Sequence, residues 1–413
     1  MSFLPLLHSA DAGAARRVRP WRLPLAAGLL AALAACGGGG GDATDPPVAA
    51  TTSYTAGAIT GFGSVIVNGV RFDDSAATVE DDDGVRHGAD DLRLGVQVEV
   101  VASSIDRVAG TGVATLIRFG SEIKGPVESV DVAAGRLTVL GQAVMVTPRT
   151  VFDDSLAGGL AGVALDALVE VHGQYDAAQA AVVATRIEAE DSTSAYRLRG
   201  ELQALDTAAR TFRIGEALIR YDDATRLDTA LANGARVKLR LQTTPVDGAW
   251  LATRVQGGRS GLDDGDHAEA EVTGRITAWT SATAFSVDGL HVDARSATFR
   301  EGPAGVVLGA LVEVEGRIEN GVLIASQVHL EDEDDEDEHE RGEDYELHGT
   351  VTGLDTAARQ FSLRGLTVRY SDGTVWRDLS EAQLADGLQV EVKGNLSADG
   401  TVLEATRVSA EDD

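Results

Sequence analysis

The chain has 413 residues, a formal net charge of −30 and a single cysteine, Cys36. Such an excess of carboxylates repels polyanions and argues against nucleic-acid binding, and one cysteine excludes an intrachain disulfide and a thiolate metal cluster. Apolar residues make up 44% of the chain but aromatics only 5%, and 47 Gly accompany 9 Pro. This composition favours small aliphatic cores and many tight turns between strands.

Residues 1–35 have the layout of a secretory signal peptide. An apolar run, Leu23–Leu33, is too short to span a bilayer, and four arginines precede it: Arg16, Arg17, Arg19 and Arg22. The sequence "LAAC" at 33–36 resembles the bacterial lipobox, which implies a lipid on Cys36 and a chain anchored to the membrane rather than spanning it. The alternative is an ordinary signal peptide with an accidental cysteine.

The residue after Cys36 is Gly37 rather than Asp, which by resemblance to enterobacterial sorting rules favours the outer membrane. We therefore expect a lipid-anchored protein that faces the periplasm or the cell surface. The Gly-rich stretch that follows predicts a flexible tether over residues 36–56.

Three short patterns recur along the rest of the chain and predict five modules. The first is a Gly-led strand, the second a "VEV" strand, and the third an "A-T-x-V"-like strand that begins 12–15 residues after the centre of VEV. The predicted modules are 57–119, 122–190, 196–257, 269–331 and 345–411, with residues 332–344 as an acidic linker before the last.

Each module reads as all-β. In "RTFRIGEALIRYD", Phe212 and Ile214 alternate with Arg213 before a turn at Gly215, which is typical of a hairpin. Five or six short strands in about 65 residues need a closed arrangement to avoid open edges. We therefore expect five tandem small antiparallel β-barrels of OB-like form, with a small sandwich as the alternative, and separate cores joined by linkers.

The third pattern also predicts a β-bulge. In "TVLEATRVSAE", Leu403 and Ala405 share one face of a strand, whereas Val408 has the opposite parity. One extra residue near Thr406 and Arg407 would reset the parity, so that all three apolar side chains face the core. The same spacing occurs in all five modules.

The Gly-led, VEV and A-T-R-V strands and the acidic spacers resemble a bacterial repeat family known as domain of unknown function 5666. The resemblance covers about residues 55–411. It implies β-modules of secreted proteins or lipoproteins, and it implies no activity.

Acidic clusters are the weak candidates for Ca²⁺, which prefers carboxylate oxygens. The segment 331–344 has 11 acids in 14 residues, for which a solvated, self-repelling linker is the favoured interpretation. The carboxylates that could hold Ca²⁺ loosely are Asp81, Asp83, Asp263, Asp264, Asp334, Asp335 and Asp337.

The third module departs from the others, with ten Lys and Arg against seven acids and with Lys238 in place of the VEV glutamate. One interpretation is that these basic residues arose by neutral sequence drift on a solvated surface. The other is that they form a surface that docks on an acidic neighbour or on an anionic envelope polymer.

No motif predicts catalysis. The histidines lack metal-ligand spacing and are expected on the surface, and neither a cofactor nor a catalytic residue is expected. Two functions remain: a non-enzymatic envelope protein that binds a polymer, a protein or cations, and a purely structural spacer. A carbohydrate-active hydrolase is a distant third. Binding needs an exposed apolar or aromatic patch, so Trp250, Trp279 and Trp376 are the residues that distinguish the first two functions.

Overall fold

The computed structural model describes residues 52–106, 109–258, 266–331 and 345–410, all within one compact unit that spans Ala49–Asp413. The described residues form strands, turns and four short 3₁₀ helices. The strands fall into five groups, which we number as modules one to five.

The first three modules contain nineteen strands. Module one contains β1 (Ser53–Gly61), β2 (Val65–Val67), β3 (Val70–Asp73), β4 (Thr78–Asp81), β5 (Arg86–His87), β6 (Gln97–Asp106) and β7 (Thr111–Phe119). Module two contains β8 (Ile123–Asp131), β9 (Arg136–Val139), β10 (Gln142–Phe152), β11 (Leu168–Asp176) and β12 (Ala181–Ala189). Module three contains β13 (Tyr196–Glu201), β14 (Gln203–Asp206), β15 (Thr211–Ile214), β16 (Ala217–Arg220), β17 (Arg226–Leu227), β18 (Arg236–Leu241) and β19 (Trp250–Gly257).

Modules four and five follow the same order. Module four contains β20 (His267–Ser281), β21 (Ala284–Val287), β22 (Leu290–Asp293), β23 (Thr298–Phe299), β24 (Leu311–Glu319) and β25 (Val322–Leu330). Module five contains β26 (Tyr345–Thr350), β27 (Thr352–Asp355), β28 (Gln360–Leu363), β29 (Leu366–Arg369), β30 (Val375–Arg377), β31 (Gln389–Leu396) and β32 (Val402–Ala410). The 3₁₀ helices are Ala89–Asp91, Gly159–Gly162, Pro303–Gly305 and Glu381–Gln383.

Every module closes into a five-stranded barrel. Modules with more than five strands have barrel strands that are interrupted, as β16 and β17 of module three together take the place of β10 in module two. In module two, β8 pairs with β9, β9 with β10, and β11 with both β12 and β8, all antiparallel. The ring closes through a parallel pair between β10 and β12. The equivalent parallel pairs are β3–β7, β16–β19, β22–β25 and β29–β32. The OB-like barrel expected from the repeats is therefore the fold, and the sandwich is not.

Apolar side chains at alternate positions of the strands fill the interior of each barrel. On β15, Phe212 and Ile214 are buried and Arg213 is exposed, and β16 buries Ile219 against them. Because successive side chains point to opposite faces of a strand, one apolar residue in two is enough to line the interior.

The predicted β-bulge is present in all five modules. Lys393 pairs with Arg407 and the next residue, Gly394, pairs with Ala405, which leaves Thr406 as the extra residue. Leu403, Ala405 and Val408 are all buried as predicted. The same shift leaves one extra residue in each of the other modules, namely Thr115, Thr185, Thr253 and Ser326.

Four of the five modules do not have separate cores, which corrects the expectation of independent units. The buried side chains of modules one and five form one continuous cluster, and those of modules two and three form a second. Module four has its own cluster, into which Tyr54 of module one inserts.

Module one contacts each of the other four. Its β1 continues the sheet of module four through a parallel pair, Ser53–Ala56 with Glu269–Val272. In its turn at Gly95, the carbonyl oxygen of Gly95 accepts a hydrogen bond from the Thr185 hydroxyl of module two at 2.6 Å.

Among the described residues, no helix is both long and apolar enough to cross a membrane.

Candidate functional site

An acidic loop of module one, Asp81–Asp83, projects between β4 and β5. The Asp81 carboxylate accepts the backbone N–H groups of Asp83 and Val85 at 3.0 and 2.9 Å, which closes a tight turn. Gly84 lies in this turn at φ +78°, a conformation that L side chains rarely adopt. The turn aims Asp82 and Asp83 away from their own module, and both side chains are almost completely buried.

The loop meets the basic face of module three. Alternation on β13 and β18 places Arg197, Arg199 and Lys238 on one side of the sheet. Lys238 Nζ lies 3.1 Å from Asp82 Oδ1 and also donates to the Asp82 carbonyl oxygen. Arg199 Nη2 lies 2.9 Å from Asp82 Oδ2, and Arg197 Nη2 lies 3.0 Å from Asp83 Oδ2.

Burial alone would raise the pKa of Asp83, but Lys238 and Arg197 outweigh it and lower the pKa below the usual range. The carboxylate is therefore ionised. Of the alternatives for the basic face, docking on an acidic neighbour is the one that the structure has, and the neighbour is module one.

Glu122, between modules one and two, joins the same network. Its carboxylate lies 2.9 Å from Arg236 Nη2 and 3.4 Å from Arg199 Nη1. Burial raises the pKa of Glu122, and the two arginines oppose that shift. The network thus connects three modules at one point. Asp82 belongs to module one, Glu122 directly precedes β8 of module two, and Arg199 lies on β13 of module three.

A narrow cleft opens where modules one to four meet, and this network forms part of its wall. Asp82, Glu122 and Arg199 line the cleft, and they are engaged with one another. The charges of the cleft therefore serve assembly of the modules.

The structure describes only two of the candidate calcium ligands, Asp81 and Asp83. Arg197 lies within 3.4 Å of the first and 3.0 Å of the second, and this cation competes with any Ca²⁺ for the same oxygens. Calcium binding there stays a prediction. The other candidates lie outside the described residues: Asp263, Asp264, Asp334, Asp335 and Asp337, together with the lipidation residue Cys36.

A second charged cluster joins modules one and five. Glu346, His348 and Glu391 each bring one ligand-type atom within 4.8 Å of the others. Arg71 donates to both oxygens of Glu346, at 2.7 and 3.0 Å, and Lys393 Nζ lies 3.0 Å from Glu346 Oε2. Because two cations already balance the two carboxylates, this arrangement fits an intermodule ion-pair cluster better than a metal centre.

Two histidines differ from the expected surface positions. His172 is buried, with Nδ1 3.2 Å from the Gly120 carbonyl oxygen. His267 is also buried and contacts the Thr52 hydroxyl and the Tyr54 ring of module one. Both histidines lie at contacts between modules, which the sequence pattern of a single module does not contain.

The three tryptophans among the described residues have different environments. Trp250 and Trp376 are partly buried against a core, and each packs edge-on against a tyrosine, Tyr196 and Tyr370 respectively. Trp279 of module four is 46% exposed. Its Nε1–H donates to the Val306 carbonyl oxygen at 2.8 Å, which fixes the ring over the loop that precedes β24.

Trp279 is part of an apolar patch. Val307 and Leu308, next to the residue that holds its N–H, are 47% and 40% exposed. The two segments that meet at this patch, 276–287 and 302–312, contain no charged residue, although 24% of the chain is charged. We call the surface of Trp279, Thr280, Val307 and Leu308 the uncharged face.

No curated protein matches the chain. A solved structure titled "drosophila Unr CSD456" is 15% identical over 54% of this chain and 98% of that chain, with a TM-score of 0.14, which supports no conclusion about this protein.

The model of a protein family matches four segments, 124–188, 199–256, 273–329 and 348–409. These are modules two to five, and module one has the same strand order without being matched. The chain therefore belongs to the family described as Domain of unknown function (DUF5666).

Proposed function

We propose that the protein is a non-enzymatic, lipid-anchored protein of the bacterial outer membrane, facing the periplasm or the cell surface, which binds an envelope partner through module four. The uncharged face carries this proposal. Exposed aromatic and aliphatic side chains grouped on one surface are typical of interaction sites, and Trp279 with Val307 and Leu308 forms such a group.

The charge distribution supports this choice of surface. The basic face of module three would suit a polyanion, but its Arg197, Arg199 and Lys238 are paired with the acidic loop. The rest of the chain is strongly acidic. An uncharged surface on an acidic protein favours a partner that the remaining charge does not repel.

The lipobox-like "LAAC" and the lone Cys36 support the anchor. Replacing Cys36 with Ser removes the acceptor of the lipid, so we expect the variant to move from the membrane fraction to the soluble fraction. Equal membrane association of the variant and the wild type would rule out this anchor.

The binding proposal is tested with the chain that begins at residue 37, so that a lipid cannot contribute. We expect this chain to cosediment with purified envelope material, with and without Ca²⁺, and expect Trp279→Ala to lose most of that association. Leu165→Ser is the matched control because Leu165 occupies the position of Leu308 in module two and is also exposed to solvent.

A structural spacer is the second candidate, and the shared cores and buried ion pairs favour it because they make the modules a stiff assembly. A spacer needs no binding surface. Cosedimentation that is absent, or that is the same for the wild type and Trp279→Ala, would favour the spacer.

A further inference from the structure

Building on the proposed function, we infer that the uncharged face of module four takes an uncharged glycan. The partner that fits best is a neutral polysaccharide whose sugar rings offer C–H groups to the Trp279 ring.

Comparison with modules two, three and five shows how this face arises in module four. The first hairpin turn of modules two, three and five begins with an aspartate and carries an arginine four or five residues later: Asp131 and Arg136, Asp206 and Arg210, Asp355 and Arg359. The aspartates cap the turn by accepting backbone N–H groups. Module four has Thr280 in place of the aspartate and has no arginine in the turn.

The residue before that aspartate also changes. It is Val130, Leu205 or Leu354 in modules two, three and five, and each of these side chains packs against a core. In module four it is Trp279, which lies largely outside the core. One turn has therefore lost both of its charges and gained an exposed aromatic ring.

The exposed atoms of the Trp279 ring are suited to contact a sugar. The indole N–H is already used by the Val306 carbonyl oxygen, so the exposed part of Trp279 consists of ring carbons. Ring carbons attract C–H groups and bury apolar area without needing a hydrogen bond. Exposed Thr280 adds a hydroxyl beside the ring, and small-molecule sites commonly combine an apolar platform with a few polar groups.

The size and charge of the surface disfavour other occupants. Trp279, Val307 and Leu308 together expose on the order of 250 Å² of apolar area, whereas a stable interface between two copies buries about 800 Å² on each. A bilayer with anionic head groups would repel a chain of net charge −30. A neutral polymer incurs neither disadvantage.

The test is native electrophoresis of the chain beginning at residue 37, in gels that contain dextran, laminarin or hydroxyethylcellulose. These three neutral glucans differ in linkage. We expect at least one of them to retard the protein, and expect Trp279→Ala and Leu308→Ser to weaken the retardation about tenfold or more. Leu165→Ser should migrate as the wild type does, because it removes an exposed leucine from module two.

Failure of all three glucans to retard the protein would overturn the glycan inference. Two other results would also overturn the glycan inference: sedimentation of the protein with phosphatidylcholine vesicles, or its dimerisation in analytical ultracentrifugation, if Trp279→Ala abolishes that behaviour. Either result would still support the uncharged face as a binding surface. Retardation that is unchanged in Trp279→Ala would overturn the assignment to this face. The envelope assay with the same variants reports separately on the proposed function.

Discussion

Lys238 shows how one residue can reverse the role of a strand. The VEV strands of modules two, four and five carry Glu170, Glu313 and Glu391 at its position. On β18 the reversed charge contacts Asp82 and Asp83, 3.1 and 3.4 Å away. The substitution therefore turned a partly buried glutamate position of the repeat into a buried contact between modules.

Restoring the glutamate of the other copies, Lys238→Glu, should destabilise the protein. It would place a third carboxylate against two buried ones and leave Asp82 and Asp83 without their ammonium partner. Breaking a buried pair in this way costs about 3–5 kcal/mol. Urea unfolding followed by circular dichroism measures the loss.

The matched control is the opposite change at the equivalent position of module four, Glu313→Lys. Burial and the nearby Glu331 and Glu315 raise the pKa of Glu313, so a cation there relieves repulsion and should leave stability unchanged or higher. Equal effects of the two substitutions would contradict the buried contact.

Glu346 should make the contact of modules one and five sensitive to acid. Burial alone would raise its pKa, but hydrogen bonds from His348, Arg71 and Lys393 lower it well below the usual range. A carboxyl whose pKa falls on folding stabilises the fold above its unfolded pKa of about 4.3, and this contribution disappears as the pH falls toward the folded value.

We therefore expect Glu346→Gln to be less stable than the wild type at pH 7, by about 1–3 kcal/mol, and the difference to shrink below about pH 4. Glu404→Gln is the control, because its pair with Arg369 is exposed on both sides. Thermal unfolding across about pH 3–7 measures both. A difference for Glu346→Gln that does not depend on pH would contradict this role.

At the scale of the element, the bulge was predictable because a strand has only two faces. Leu403, Ala405 and Val408 cannot share a face in a regular strand, and only an extra residue brings them together. The structure adds the reason for threonine at this point: the Thr406 hydroxyl donates to the Lys393 carbonyl oxygen at 2.9 Å. The equivalent hydroxyls of Thr115, Thr253 and Ser326 do the same across their strands.

Deleting Thr406 should destabilise module five severely. The deletion would turn Val408, which is fully buried, toward the other face and cost at least about 2 kcal/mol from that side chain alone. Thr406→Ala keeps the residue count and removes one hydrogen bond, at about 1 kcal/mol. Urea unfolding of both variants compares them, and a deletion no worse than the alanine variant would argue against the role of the bulge.

At the scale of the whole molecule, the closed barrels could be predicted from the sequence, whereas the way the modules pack against one another could not. Short alternating strands and turn residues recur inside each module, so the barrel is encoded locally. The pairing of β1 with β20 and the choice of Asp82 as the partner of Lys238 join distant segments. The chain has several acidic runs, and the repeat pattern does not distinguish the one that docks.

The uncharged face was only partly predictable for the same reason. Trp279 stood out as one of three tryptophans within the modules, but its exposure depends on the loop that brings Val307 and Leu308 beside it. Sequence comparison of the modules contains a further signal, the loss of the turn aspartate at Thr280.

The shared core predicts that module five is weak alone. In the whole protein the Arg364 guanidinium lies 4.4 Å from the centre of the Phe62 ring, and Gly63 packs closely on the His348 ring. A fragment of residues 345–413 lacks these partners, so we expect a broad thermal transition far below that of the full chain. A cooperative transition at the same midpoint would show that the contacts between modules add little.

The central position of module one also has a consequence for the order of events during biosynthesis. Arg71 meets Glu346 only after 275 further residues have been made, which takes roughly 15–55 s at about 5–20 residues per second. During that delay the β1 edge that later pairs with β20 is an unpaired strand, and such edges recruit other chains. We expect the nascent protein to depend on a holding chaperone until its later modules arrive, because the module synthesised first is among the last to be completed.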